Sequence, residues 1–231
     1  MKAVFFDFDD TLVHTNIIFD QAKAEFQKKM EDWELSDDRL QEVLNNFDIE
    51  NVKKCGGFAK ECFPNALVET YLYYCAVFKR KQSRKHIKEL EDLGWKVLYE
   101  KPVVVDGARE LLKKLKQAYR LFLITKGDQD LQLLKISQSG LGEFFYQVYV
   151  VLEKDCRVYQ QLIGEHGIAA HRSWSVGNSI KADINPALAA GINCIHVLAP
   201  SWDFEYAEPI GEYYSVKNLH EVAEILLSEG G

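Results

Sequence analysis

The chain contains no CxxC pair. Its five cysteines, Cys55, Cys62, Cys75, Cys156 and Cys194, are odd in number and scattered. They therefore suggest neither a zinc knuckle nor a disulfide framework, and reduced thiols in a reducing compartment are expected. No apolar run approaches the roughly 18–20 residues needed to span a bilayer. The N-terminus enters a short apolar run at once, without the basic region and long hydrophobic stretch of a secretory leader. The expectation is a cytoplasmic protein with no membrane partner. Positive charge is also short: 28 Lys and Arg face 35 Asp and Glu, a formal net charge of -7. That balance argues against a broad grip on nucleic acid, though not against a small anion site. The six histidines (His14, His86, His166, His171, His196 and His220) show no HxxxH spacing, so no histidine-based metal motif is present. Internal repeats and low-complexity segments are likewise missing.

What remains is a chain of 231 residues with 47% hydrophobic and 27% charged residues, enough to bury a substantial core. The length fits either one domain with a large insertion or two domains. From Val103 onward, helical and strand patterns alternate. "DGARELLKKLKQ" sets Ala108, Leu111, Leu112 and Leu115 on one helical stripe, and "YRLFLIT" (119–125) is a continuous apolar run of the kind covered on both faces. "DQDLQLLKISQSG" predicts a helix ended by Gly140, "FFYQVYVVL" a strand, and "DCRVYQQLIGEHG" a further helix. "SWSVG" and "NCIHVLA" predict strands, and "KADINPALAAG" and "VKNLHEVAEILL" helices. This alternation predicts an α/β fold, a doubly wound parallel sheet with right-handed crossovers.

The first strand, "KAVFFDF", belongs to that sheet but is separated from the others by a segment of different character. Roughly between residues 15 and 100, "IIFDQAKAEFQKKMED", "SDDRLQEVLNNF", "NVKKCGGFAKECF" and "NALVETYLYYCAVFKRKQ" are rich in helix formers, with Ser36 a candidate N-cap and Pro64 a candidate helix boundary. The expected organisation is a core of residues 1–14 and 101–231 and an all-helical insertion of residues 15–100.

In an open parallel sheet, ligands bind beyond the carboxyl ends of the strands. After the first strand come Asp7, Asp9, Asp10 and Thr11. Thr125, Lys126, Gly127 and Asp128 follow "LFLI", Glu153 and Lys154 follow "VYVVL", and Gly177, Asn178, Ser179 and Asp183 follow "SWSV". Carboxylates, a hydroxyl, an amide and a lysine on one edge suit a divalent cation and a phosphate. A carboxylate can attack phosphorus, splitting a hard hydrolysis into two steps. A second carboxyl can protonate the leaving oxygen and then activate water. Mg²⁺ and a lysine would offset the repulsion between an anionic nucleophile and an anionic substrate.

"FDFDDTL" matches the DxDxT signature of the haloacid dehalogenase-like (HAD) hydrolases, and Thr125, Lys154 and "VGNSIKADI" resemble the family's second, third and fourth motifs in order. The resemblance implies a Rossmann-like core with a helical cap between motifs one and two that closes over the site and selects substrate. It also implies a Mg²⁺-dependent phosphatase for a small phosphorylated metabolite. Asp7 would be nucleophile and Mg²⁺ ligand, and Asp9 the general acid/base whose main-chain carbonyl completes the metal shell. Thr125 would bind the phosphoryl group, with Lys126 a second phosphate-side candidate. Lys154 would pair with both Asp7 and phosphate. Asn178 and Asp183 would share the fourth-motif metal role, and Asn178 stands where the family usually has Asp.

Blander readings accompany several of these residues. Asp10 suits a turn or helix cap, Lys126 and Asp128 a solvated loop, and His14 a hinge or surface position. "TYLYYCAVF" suits the core of the cap, the basic run 79–88 an exposed helix or turn face, and "PSWDFEYAEP" packing beneath a loop. Competing functions are a phosphosugar mutase and a 2-haloacid dehalogenase of the same superfamily, the latter disfavoured by Asp9. A phosphonate hydrolase lacks an identifiable cap lysine here. From other classes, a receiver domain has its phosphoacceptor after a later strand, and a non-catalytic regulatory protein would not need the intact motifs. Monomer and homodimer both remain open.

Overall fold

The computed structural model describes residues 1–199 and 206–228; most of "PSWDFEYAEP", residues 200–205, lies outside them. By internal contact the chain divides into two units, one of Met1–Asn16 with Lys101–Gly231 and one of Ile17–Glu100.

The first unit is built around β1 (Ala3–Phe6), in which every residue is buried. The chain then forms the short β2 (Val13–His14), leaves this unit, and returns just before β3 (Val103–Val104), which pairs antiparallel with β2. There follow α5 (Ala108–Leu115), β4 (Arg120–Lys126), α6 (Gln129–Ser139), β5 (Gln147–Val151), α7 (Cys156–His166), β6 (Trp174–Gly177), α8 (Asn185–Ala189), β7 (Asn193–Val197), β8 (Tyr214–Val216) and α9 (Leu219–Ser228). The numbers α1–α4 belong to the second unit. The main sheet has the order β5-β4-β1-β6-β7-β8, with every pairing parallel. The α/β, doubly wound fold read from the sequence is thus present.

Alternation along the strands explains the two layers. Val4 and Phe6 join Leu121, Leu123, Trp174 and Val176 in a core completed by Leu111, Leu112 and Val222 of α5 and α9. Ala3 and Phe5 join Phe122, Ile124 and Cys194 in the opposite core, with Tyr159, Leu162 and Ala187 from α7 and α8. Phe5 stacks on Phe122 at 5.3 Å and meets Tyr159 edge-on at 5.7 Å. Each such buried ring contributes on the order of 2–3 kcal/mol. Both faces of β1 are therefore committed, and its polar neighbours can only gather beyond its carboxyl end.

Helix boundaries follow local chemistry. Asp128 caps α6 by accepting from the Asp130 and Leu131 N–H groups, and Gly140 ends it at φ 66°. "KADINPALAAG" does not form one regular helix: residues Ile180–Ile184 make a wide turn before α8 begins at Asn185. Pro186, near the start of α8, has no N–H to continue a preceding helix, which is consistent with the break. The strand β8 was not anticipated from the sequence.

The second unit holds α1 (Asn16–Asp32, whose first residue falls in the first unit), α2 (Leu40–Cys55), α3 (Cys62–Val77) and α4 (Arg84–Tyr99). Its core includes Phe26, Met30, Leu44, Leu67, Tyr71, Tyr74 and Leu90. Of the aromatic run, Tyr71 and Tyr74 are core residues and Tyr73 is exposed. Ser36 does not cap α2. That helix starts at Leu40, and the preceding turn is closed by Asp37 accepting from the Arg39 N–H. Pro64 lies inside the first turn of α3, where its missing N–H costs nothing. α3 and α4 approach closely enough that a Cβ on Gly94 would lie 2.6 Å from the Pro64 Cα. Among the described residues, no helix is long and apolar enough to cross a membrane.

Candidate active site

The site begins where β1 stops. The Asp7 N–H still donates to the Val176 carbonyl at 2.9 Å, continuing the ladder one residue past β1. Phe8 and Leu12 are fully buried and fix the turn that follows, closed by Leu12 N–H and Val13 N–H donating to the Phe8 carbonyl. Phe8 packs in the same core as Val4 and Phe6, and Asp7, the residue before it, lies outside that core. Asp10 takes φ 56° and accepts from the Thr15 and Asn16 N–H groups, both at 2.9 Å. It thereby caps the chain entering α1, in a conformation that Asp tolerates better than most residues.

Asp7 is nearly inaccessible. Its Oδ1 accepts from Lys154 Nζ at 2.5 Å and its Oδ2 from the Thr11 hydroxyl at 2.9 Å. Lys154 Nζ also donates to Asp183 Oδ1 at 2.6 Å, while Asp183 Oδ2 accepts from the Ser179 N–H at 2.9 Å. The Lys154 and Asp183 side chains are each 2% exposed. One ammonium thus serves two buried carboxylates, leaving one negative charge in excess. Burial raises Asp7, against the attraction of Lys154, and with the repulsion of Asp183 the carboxyl is pushed up to about 7. Burial alone would lower Lys154, but the Asp183 and Asp7 carboxylates outweigh it and hold the ammonium well above its ordinary range.

The fourth-motif loop is shaped by Asp183. A Cβ on Gly177 would meet the Asp183 carboxyl carbon at 2.3 Å, so only glycine fits there. The Asp183 carbonyl accepts from Ser175 Oγ at 3.1 Å, and the Asn178 carbonyl accepts from His196 Nε2 at 2.9 Å.

Asp9 belongs to a second cluster. Its Oδ2 accepts from Gln132 Nε2 at 2.7 Å, and its Oδ1 accepts from Lys135 Nζ and the Thr15 hydroxyl. Burial would raise its pKa, yet the Lys135 charge and the hydrogen bonds from Lys135, Thr15 and Gln132 together hold it below the usual carboxylate range.

The remaining candidates are placed as follows. Phe6 is in register with Leu123, so Thr125 lies two residues further along the neighbouring strand, 1% exposed and opposite Val150. Lys126 directs its ammonium to within 3.9 Å of the Glu153 carboxylate, and its carbonyl accepts from Gln132. His14 is exposed on β2. Sequence reasoning assigned no site role to Thr11, Thr15, Ser179, Gln132 or Lys135. Thr11 carried a signal, as the Thr of DxDxT; Gln132 and Lys135 carried none.

The donor set fits a hard divalent cation. The Asp7 carboxylate, the Asp9 carbonyl and the Asn178 amide oxygen are hard oxygen donors of the kind Mg²⁺ takes, and a cation there would favour the ionised form of Asp7 that burial opposes. The Asp183 carboxylate, which like Asp7 accepts a hydrogen bond on each oxygen, is a further hard donor.

The family model for haloacid dehalogenase-like hydrolases matches residues 4–197. The chain belongs to that family. This haloacid dehalogenase-like hydrolase is 27% identical over 143 residues to the putative HAD-hydrolase YfnB of Bacillus subtilis, covering 59% of the chain and 60% of the relative. It is 30% identical over 126 residues to the pyrimidine 5'-nucleotidase PynA of Streptococcus pneumoniae, covering 50% and 52%. The match thus spans only about half to three-fifths of these two curated relatives. The N-acylneuraminate-9-phosphatase of Mus musculus aligns over 99% of the chain and 94% of its own length at 22% identity. Among solved structures, a haloacid dehalogenase-like family hydrolase from Xanthomonas campestris superposes with a TM-score of 0.83 at 26% identity, covering 100% of this chain and 96% of that one. A 2-haloacid dehalogenase from Pseudomonas syringae shares the fold at a TM-score of 0.63 and 19% identity, covering 99% of each chain.

Proposed function

We propose that this hydrolase is a Mg²⁺-dependent phosphatase that cleaves a small phosphorylated metabolite through an aspartyl phosphate on Asp7. The observation that carries the reading is Lys154 bridging Asp7, just past β1, to Asp183, in the turn after β6, both buried, with Asp9 two residues beyond Asp7. The relatives named as a nucleotidase and as a phosphatase support the same chemistry.

Lys154 and Thr11 hold the two oxygens of Asp7, so the carboxylate meets phosphorus in a fixed orientation. Lys154 also places positive charge beside the phosphoryl oxygens, and the Thr125 hydroxyl is available to donate to one of them. Lys135 favours the Asp9 carboxylate, so Asp9 must first take up a proton; it then supplies that proton to the leaving oxygen as the Asp7 oxygen bonds to phosphorus and the bond to the leaving oxygen breaks. Water then attacks phosphorus, gives a proton to Asp9, and frees Asp7 with release of phosphate. Asp7, the Asp9 carbonyl and Asn178 would hold Mg²⁺, whose charge offsets the repulsion between Asp7 and the phosphoryl group. Asp183 shares Lys154 with Asp7 and stands beside Asn178 for the fourth-motif metal role. A dehalogenase has no use for the acid at Asp9, which favours the phosphatase.

The test is phosphate release from 4-nitrophenyl phosphate with and without Mg²⁺. The wild type is expected to turn over only with the metal, and Asp7→Asn to be inactive. Equal activity in both proteins removes the nucleophile assignment.

A further inference from the structure

Two side chains of α6 converge on Asp9, and the phosphatase reading gives neither a role. Gln132 and Lys135 are three residues apart and so share one helix face. Gln132 Nε2 donates both to Asp9 Oδ2 and to the Lys126 carbonyl, at 2.7 Å each. Those two acceptors fix the amide so that its Oε1 is buried without a hydrogen-bond partner. Lys135 takes Asp9 Oδ1, and its side chain is only 17% exposed. Asp128 anchors the start of the helix that carries both, through the Asp130 and Leu131 N–H groups at 3.1 Å. Asp9 is thus gripped on both oxygens by one capped helix, while Asp7 is gripped by Lys154 and Thr11. The two carboxylates have separate holders.

We propose that Lys135 and Gln132 are positioning residues that hold the Asp9 carboxyl group for proton transfer to the leaving oxygen and from the attacking water. The proposal rests on the phosphatase reading and goes beyond it by naming what governs the acid/base. Both act through Asp9. Lys135 also favours the carboxylate form, so losing its charge would by itself make Asp9 a readier proton donor, and a loss of acid catalysis in Lys135→Met therefore measures lost position.

A positioning role has a signature that a merely structural one lacks. The parameter kcat/KM reports only steps up to departure of the leaving group, whereas kcat also includes attack of water on the aspartyl phosphate. Phenolate needs a proton from Asp9 as it leaves; 4-nitrophenolate needs it far less. Both probes share the phenyl ring and the phosphate, so their binding is closely matched.

The experiment measures kcat and KM with Mg²⁺ for phenyl phosphate and 4-nitrophenyl phosphate in the full chain, its Lys135→Met, Lys135→Arg and Gln132→Met variants, and Lys135→Met in an Asp9→Asn background. For Lys135→Met, kcat/KM for phenyl phosphate is expected to fall about tenfold or more, a part of the roughly 100-fold or greater effect of a general acid. The loss for 4-nitrophenyl phosphate should be less than about threefold. With that second probe kcat should fall more than kcat/KM, so KM falls too, because water activation is impaired. Gln132→Met should show the same pattern, Lys135→Arg should recover most of the loss, and Lys135→Met should cost nothing further once Asp9 is Asn. Equal losses on both probes, no loss, a gain, or a full effect in the Asp9→Asn background overturns the positioning role. If Lys135→Met does not fold, Gln132→Met and Lys135→Arg decide by the same ratio of probes. A wild type without Mg²⁺-dependent, Asp7-dependent turnover fails the phosphatase reading and this proposal together. Normal wild-type turnover with no leaving-group dependence in the variants fails the positioning role alone.

Discussion

Lys154 shows how one residue can couple stability to chemistry. Its ammonium is shared by two carboxylates that burial would otherwise disfavour more strongly. Lys154→Met leaves Asp7 and Asp183 buried without it, and breaking such an arrangement costs about 3–5 kcal/mol. The expected outcome is a large drop in the denaturant midpoint together with loss of turnover. Thr11→Val removes the hydroxyl that donates to Asp7 Oδ2 and should lower kcat with little change in the fold, read by kinetics beside thermal melting. Asp48, in the second unit, is 4% exposed, and burial, partly countered by Lys23, pushes it up to about 6 from 3.8. The folded state therefore prefers the protonated form. This group's contribution is most favourable below about pH 4 and worsens as pH rises through about 6. Its penalty at neutral pH is on the order of 3 kcal/mol. Asp48→Asn should raise the melting temperature clearly at pH 7.5 and little at pH 4.5.

At the scale of elements, caps and close approaches set the geometry that the side chains then use. α6 depends on Asp128 for its first turn, so Asp128→Ala should cost about 1 kcal/mol of stability. Urea denaturation measures this directly. The contact of α4 with α3 depends on the missing side chain at Gly94, where an added Cβ would collide with Pro64. Gly94→Ala should destabilise by about 1–3 kcal/mol, as overpacking does, despite the better helix propensity of alanine. Gly177 plays the same part beside Asp183 in the loop after β6.

At the scale of the whole molecule, topology sets what can meet. β1 pairs with β4 and with β6, its partners lying well over a hundred residues away in sequence. Each unit has its own buried core, so the long helical excursion after β2 leaves the sheet intact. The all-parallel order puts every strand's carboxyl end on one edge, which is how Asp7, Lys154 and Asp183 come into contact from three separate loops. The excess negative charge gathered there should make the folded protein gain stability from a divalent cation by mass action. Adding millimolar Mg²⁺ to EDTA-treated protein is expected to raise its melting temperature, and the shift should shrink in Asp7→Asn.

Much of this was legible in the sequence because its signals are periodic or local. Alternating apolar runs and amphipathic helices specified the α/β class, and glycines such as Gly140 and Gly167 marked helix ends through a left-handed backbone. Carboxylates, a lysine and an amide directly after apolar runs specified which residues would share an edge. Short or irregular features escaped: β8 is three residues long, and the wide turn before α8 has no periodic pattern. Ser36 looked like a cap because a cap signal is local, but the turn it sits in is closed by Asp37. By itself the sequence determined the parallel sheet and the candidate residues at its carboxyl edge, since burial periodicity and strand polarity are written into neighbouring residues. Only the tertiary structure decided how those residues divide, with Lys154 joining Asp7 to Asp183 while Gln132 and Lys135 take Asp9. Those partners lie 29 to 147 residues apart, and no local pattern encodes a contact at that distance.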